Sequence, residues 1–96
     1  MSEKLVIVAR IEANTGKESQ VRTALSKLIE PTLKEAGCIQ YDLHQDNDNP
    51  AIFLFYEVWE NRELWQDHLK SPHIVANQAA TEGAVASVVI SEMTKL

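Results

Sequence analysis

The sequence predicts an α+β sandwich of the ferredoxin-like class, with helices covering one face of a four-stranded antiparallel sheet. Three observations predict it. Short segments rich in Val, Ile and aromatic residues alternate in period two, and helical spacing of apolar residues marks the segments between them. The resulting order is βαββααβ, the split βαβ arrangement. Turn residues (Asn14, Gly16, Gly37, Asp46 to Pro50, Gly83) fall between these segments.

Leu5 to Ala13 reads as the first strand, with Leu5, Ile7, Ala9 and Ile11 on one face and Val6 and Val8 on the other. After the Asn14–Gly16 turn, Thr15 with Glu18 has the pattern of a capping box that opens a helix. Val21, Leu25, Leu28, Ile29 and Leu33 give that helix its apolar face. Pro31 lies inside the pattern and kinks the helix or starts a new turn; Gly37 stops it. Cys38 to Gln45 is the second strand, with Ile39, Tyr41 and Leu43 on its inner face. The run Asp46 to Pro50 makes the hairpin loop.

Ala51 to Glu60 is the third strand and the most apolar. Phe53, Phe55, Glu57 and Trp59 share one face; Ile52, Leu54, Tyr56 and Val58 share the other. Asn61 is an N-cap for a helix to about Lys70, with Leu64, Trp65, His68 and Leu69 on one side. Ser71 and Pro72 restart the chain as N-cap and first helical residue. That helix runs to about Glu82, and Val85 to Met93 is the last strand.

The 96 residues are expected to form a single domain, 1–96. The net charge of −5, from 9 basic and 14 acidic side chains, supplies no basic stripe for phosphates. This argues against nucleic acid and against an anionic membrane surface. Cys38 is the one cysteine, so no disulfide forms within the chain, and a reducing, cytoplasmic location is expected. The first residues lack the features of a signal peptide, and no segment has the length of a membrane span. The third strand is apolar on both faces. The face away from the helices is therefore expected to pack against a second copy, giving a homodimer through the sheet.

Chemistry concentrates between Phe53 and His73, which hold both tryptophans, both phenylalanines and two of the three histidines. Phe53, Phe55, Trp59 and Trp65 can wall an apolar pocket, or can simply form core. His68 is the first choice for a proton acceptor, since imidazole titrates near neutrality, with a satisfied core or rim histidine as the even alternative. Glu57 can orient an imidazole or take a proton, or can be paired by Arg10 or a histidine with no catalytic meaning. His73 begins the last helix and can serve local capping. His44, His68, His73 and Glu57 are conceivable metal ligands, but His68 and His73 are five apart across a helix break, and no metal is expected.

The spacing of Phe53, Tyr56, Glu57, Trp59, Asn61, His68, Ser71, Pro72 and His73 resembles the signature of the antibiotic biosynthesis monooxygenase (ABM) domain family. The segment Glu35 to Tyr41 is similar to that family's approach to its second strand. The resemblance spans nearly the whole chain. It implies a dimeric α+β barrel and a monooxygenase that oxidises a quinol, anthrone or related polyphenol with O2 and uses no cofactor. Its partners would be a second copy of the chain, a small aromatic substrate and O2. It implies catalytic roles for His68, Glu57 and Trp59, and substrate contacts for Phe53, Phe55, Trp65 and His73. Relatives with other activities keep two alternatives open, an isomerase of a small phosphorylated signalling metabolite and a non-catalytic dimeric binder of small molecules. The haem-degrading relatives use an asparagine on the first strand, and Leu5 to Ile11 contains none.

Overall fold

β-Branched and aromatic side chains dominate the segment 52–59, and it becomes a central strand of the sheet. The computed structural model describes residues 4–96. Its elements are β1 (Leu5–Ala13), α1 (Glu18–Ser26), α2 (Ile29–Leu33), β2 (Cys38–Gln45), β3 (Ile52–Trp59), α3 (Arg62–Leu69), α4 (Pro72–Ala80) and β4 (Val85–Met93). The strand order is β2-β3-β1-β4, and every neighbouring pair is antiparallel. This is the ferredoxin-like α+β sandwich expected from the element order. No helix among the described residues is long and apolar enough to cross a membrane.

The helices cover the face that carries Ala9, Ile11, Tyr41, Phe53 and Phe55, onto which Val21, Leu25 and Leu28 pack. Each Val, Leu, Ile or Phe among them contributes about 1.5–3 kcal/mol when fully buried. A smaller cluster joins Ile7, Trp59 and Trp65 at the other end of the sheet. On β3 the alternation is complete: Phe53, Phe55, Glu57 and Trp59 are buried, and Ile52, Leu54, Tyr56 and Val58 are half-buried on the opposite face. That opposite face also carries Val89 and Met93, which are exposed.

Five local expectations are corrected. Thr15 does not cap α1; it lies in the turn, and Lys17 holds the N-cap position without a side-chain bond. Of the kink or new turn expected at Pro31 the chain takes the new turn, as two helices, but it breaks ahead of the proline rather than at it. Pro31 has no N–H for the Lys27 carbonyl and its ring would clash with that group, and the chain breaks at Lys27 and Leu28. The break turns Leu33 outward and buries Thr32 in its place. Gly37 does not stop the helix, which ends at Leu33 with Lys34 as its C-cap. Finally, a register shift between Cys38 and Gln40 exposes Ile39 and packs Cys38 against the core. The Asn61 side chain accepts from Leu64 N at 2.9 Å and opens α3.

Candidate functional site

The site begins with strand register. Glu57 on β3 lies opposite Ile7 of β1 and Tyr41 of β2, so the carboxyl sits in a row of large side chains beneath the helices. One row along, Phe55 lies opposite Ala9 and Leu43. Above them, Trp65 and His68 stand one turn apart on α3 and are the buried residues of that helix. The chain then breaks. Ser71 donates to the His68 carbonyl from both its backbone N (3.1 Å) and its Oγ (2.7 Å), and Pro72 starts α4. The break brings His73 round to the same side as His68.

Between sheet and helices lies a pocket of about 400 Å³, within the range of small-molecule sites. Tyr41, Phe55, Glu57, Trp65 and His68 line it, together with Val88 and Ile90 of β4. Phe53 and Trp59 do not line this pocket. Both are fully buried in the core, Trp59 beneath the His68 ring with a centroid separation of 4.8 Å. His73 lies outside it as well and lines a groove between α1 and α4.

His68 is 3% exposed, and its Nδ1 is 2.6 Å from Oε2 of Glu35. Burial pushes its pKa down, and the hydrogen bond and charge of Glu35 oppose that shift. Glu57 is 4% exposed, and its Oε1 accepts from Trp59 Nε1 at 2.9 Å. Burial pushes its carboxyl up to about 7; the Trp59 bond acts downward and the Glu35 charge upward. Glu57 has neither of the partners expected for it. Arg10 instead faces Glu12 at the surface, 3.7 Å away. Burial also raises the Tyr41 phenol, and it raises the Cys38 thiol to about 11, with Glu35 and Glu57 adding to the rise. Cys38 is therefore a neutral packing group.

Glu35 carries no local sequence signal of a functional role, yet it organises the site. It sits in the turn between α2 and β2, half-buried, and the same Oε2 lies 2.7 Å from Nε2 of His73. Its one mark in the sequence is its place in the Glu35 to Tyr41 segment. Its partner lies 33 residues away, beyond any local pattern. Of the conceivable metal ligands, His44 stands apart and exposed, with Nδ1 3.3 Å from the Leu54 carbonyl. Glu35, His68 and His73 do converge, despite the five-residue spacing of the two histidines. They do so at direct hydrogen-bond distances. An ion held at about 2 Å from each ligand would require the carboxylate to withdraw.

Residues 4–80 match the model of a family described as antibiotic biosynthesis monooxygenase. A protein of Mycobacterium tuberculosis named "Putative monooxygenase Rv0793" is 32% identical over 79 residues, which cover 82% of this chain and 77% of that protein. An uncharacterised protein of Synechocystis is 31% identical over 71 residues, covering 74% of this chain; the match spans about half, 48%, of that relative's length. The crystal structure of PA3566 from Pseudomonas aeruginosa superposes with a TM-score of 0.96 at 31% identity, covering 100% of this chain and 97% of that one.

Proposed function

The chain belongs to the antibiotic biosynthesis monooxygenase family, and from that premise we propose that it is a cofactor-independent monooxygenase acting on a quinol, anthrone or related polyphenol. The observation that carries the reading is that one largely apolar pocket is lined by both a buried imidazole, His68, and a buried carboxyl, Glu57. Tyr41, Phe55 and Trp65 offer flat apolar surface to an aromatic ring.

For an anthrone-type methylene the chemistry balances without an external reductant. His68 takes a proton from the methylene carbon, leaving an electron-rich anion. That anion passes an electron to O2, and the pair joins as a carbon-bound peroxide. Cleavage of the O–O bond with loss of the second hydrogen gives a carbonyl, and the other oxygen leaves as water. Glu57, held partly protonated at neutrality by burial, donates a hydrogen bond in its protonated form to the oxyanion that develops. Trp59 acts through Glu57 by holding its carboxyl. Phe53 supports the pocket floor from the core, and His73 acts from behind His68.

Among the described residues, the pocket lining contains no Lys or Arg. A phosphorylated ligand would find no cation there, which weighs against the isomerase alternative. We further propose that the protein works as a homodimer through the sheet face bearing Leu54, Tyr56, Val58, Val89 and Met93, and that it is cytoplasmic.

The test is O2 uptake by chelator-treated protein supplied with a menadiol- or anthrone-type substrate. Uptake above the buffer rate, lost in His68→Ala, is expected. Uptake at the buffer rate sinks the oxygenase reading, and activity that appears only on adding metal sinks the cofactor-free one.

A further inference from the structure

Three polar side chains from three different segments meet behind His68. Glu35 comes from the turn after α2, Ser71 from the break between α3 and α4, and His73 from the first turn of α4. The hydrogens can be assigned from what each group is able to accept. Ser71 Oγ lies 2.7 Å from the His68 carbonyl, which only accepts, so the serine hydrogen points there. Ser71 Oγ must then accept from its other neighbour, Nε2 of His73, at 3.2 Å. That nitrogen therefore carries a hydrogen, and it shares it with Oε2 of Glu35 at 2.7 Å. The Glu35 carboxylate likewise only accepts, so the His68 nitrogen 2.6 Å from the same oxygen, Nδ1, carries a hydrogen too. A neutral His68 has one ring proton. With that proton on Nδ1, Nε2 is the free base of a ring that lines the pocket.

We propose that Glu35 is the positioning residue for His68 and that His73 tunes it. Glu35 fixes the Nδ1–H tautomer, with Nε2 as the base. His73 donates to the same carboxylate oxygen from the groove side, which anchors Glu35 and limits the support that Glu35 gives to a charged His68. When Nε2 takes a proton, the Nδ1 hydrogen stays in place, and the new positive charge rests against the Glu35 carboxylate. A second donor on that oxygen weakens the effect, and a charge on His73 weakens it further. His73 is reachable for this, being 21% exposed in its side chain and lining the groove between α1 and α4. The other titratable groups around the pair are Cys38 and Tyr41 on β2, Glu57 on β3, and Lys27 of α1 on the His73 groove. All four are unchanged in the variants below.

The inference rests on the reading of His68 as the base, but its test needs no substrate. Protein labelled with 15N-histidine is titrated by NMR from about pH 4 to 9, across the range in which imidazole changes charge. In the wild type, neutral His68 is expected as the Nδ1–H tautomer. In Glu35→Gln the amide oxygen still accepts from Nδ1 but carries no charge, and the His68 midpoint moves down by about one pH unit, a tenfold loss of proton affinity. In His73→Phe the competing donor is gone and the midpoint moves up. A general disturbance of packing would move both variants the same way. An Nε2–H tautomer in the wild type, shifts of the same sign, or no shift in either variant overturns the proposal. Should Glu35→Gln fail to fold, Glu35→Asp, which withdraws the carboxylate by one methylene, is expected to lower the midpoint as well. Wild-type protein without O2 uptake would refute the oxygenase reading and leave the tautomer result standing.

Discussion

The indole N–H of Trp59 donates to Oε1 of Glu57 at 2.9 Å, and both side chains are buried under the helices. The residues are two apart on β3 and share a face, so the strand itself delivers donor to acceptor. A buried carboxyl without such a donor would carry a still larger desolvation cost. The bond thus ties the core at one end of the sheet to the chemistry of the pocket.

Trp59→Phe leaves Glu57 without that donor. The expected result is a loss of about 2–4 kcal/mol of stability, from the smaller ring and the orphaned carboxyl together. The Glu57 midpoint, followed by 13C NMR of the carboxyl carbon, should rise above its position near 7. Urea unfolding gives the stability term.

Stability should depend on pH with a sign set by Glu57. Its folded pKa is raised from 4.5 to about 7, so the folded state holds a proton that the unfolded chain has already released. The contribution is full below about 4.5 and is lost as pH rises through about 7, at roughly 1 kcal/mol per pH unit. Glu57→Gln should remove this slope from unfolding midpoints measured across that range. His68 acts in the opposite sense. Its folded pKa is lowered from 6.5, so its contribution is present above 6.5 and is lost as pH falls below it. His68→Gln should flatten the acid side of the profile.

Gly37 lies at φ +86°, and a Cβ placed there would come within 2.8 Å of Leu64 Cβ. Gly37→Ala therefore strains the backbone and pushes against α3 at once. We expect a loss of about 2–4 kcal/mol in urea unfolding. Because Gly37 is two residues from Glu35, O2 uptake should fall as well.

The sheet face away from the helices is predicted to hold the dimer. Val89, 54% exposed on that face, is a position where a charge cannot be solvated once a second sheet covers it. Val89→Glu should shift the solution mass at micromolar concentration from dimer to monomer while leaving the fold intact by circular dichroism. A wild-type monomer under the same conditions rejects the dimer.

Much of the fold was legible because strand and helix periods differ, and each is written locally. Phe53 to Trp59 alternates so completely that the division of β3 into two faces could be read directly. Asn61 and Pro72 marked helix starts because a cap or a fixed φ acts within one turn of chain. Thr15 carried a capping signal that was not used, since the turn hands the helix start to Lys17. Ile39 followed the alternation but lost its place to a bulge, which depends on pairing with β3 rather than on β2 alone.

The site divides along the same line. The sequence by itself determined the order of strands and helices along the chain, the aromatic and carboxylate face of β3, and His68 on the inner side of a helix. Each is a periodicity, fixed by backbone geometry over a few residues. Only the tertiary structure decided that Phe55 and Trp65 reach the pocket while Phe53 and Trp59 become core. Only it decided that Glu57 bonds to Trp59 and that Glu35 receives both His68 and His73. Those outcomes depend on how helices lie over a sheet and on contacts spanning 33 and 38 residues. Hydrogen bonds across such distances are set by packing in three dimensions, and no local pattern in the chain encodes them.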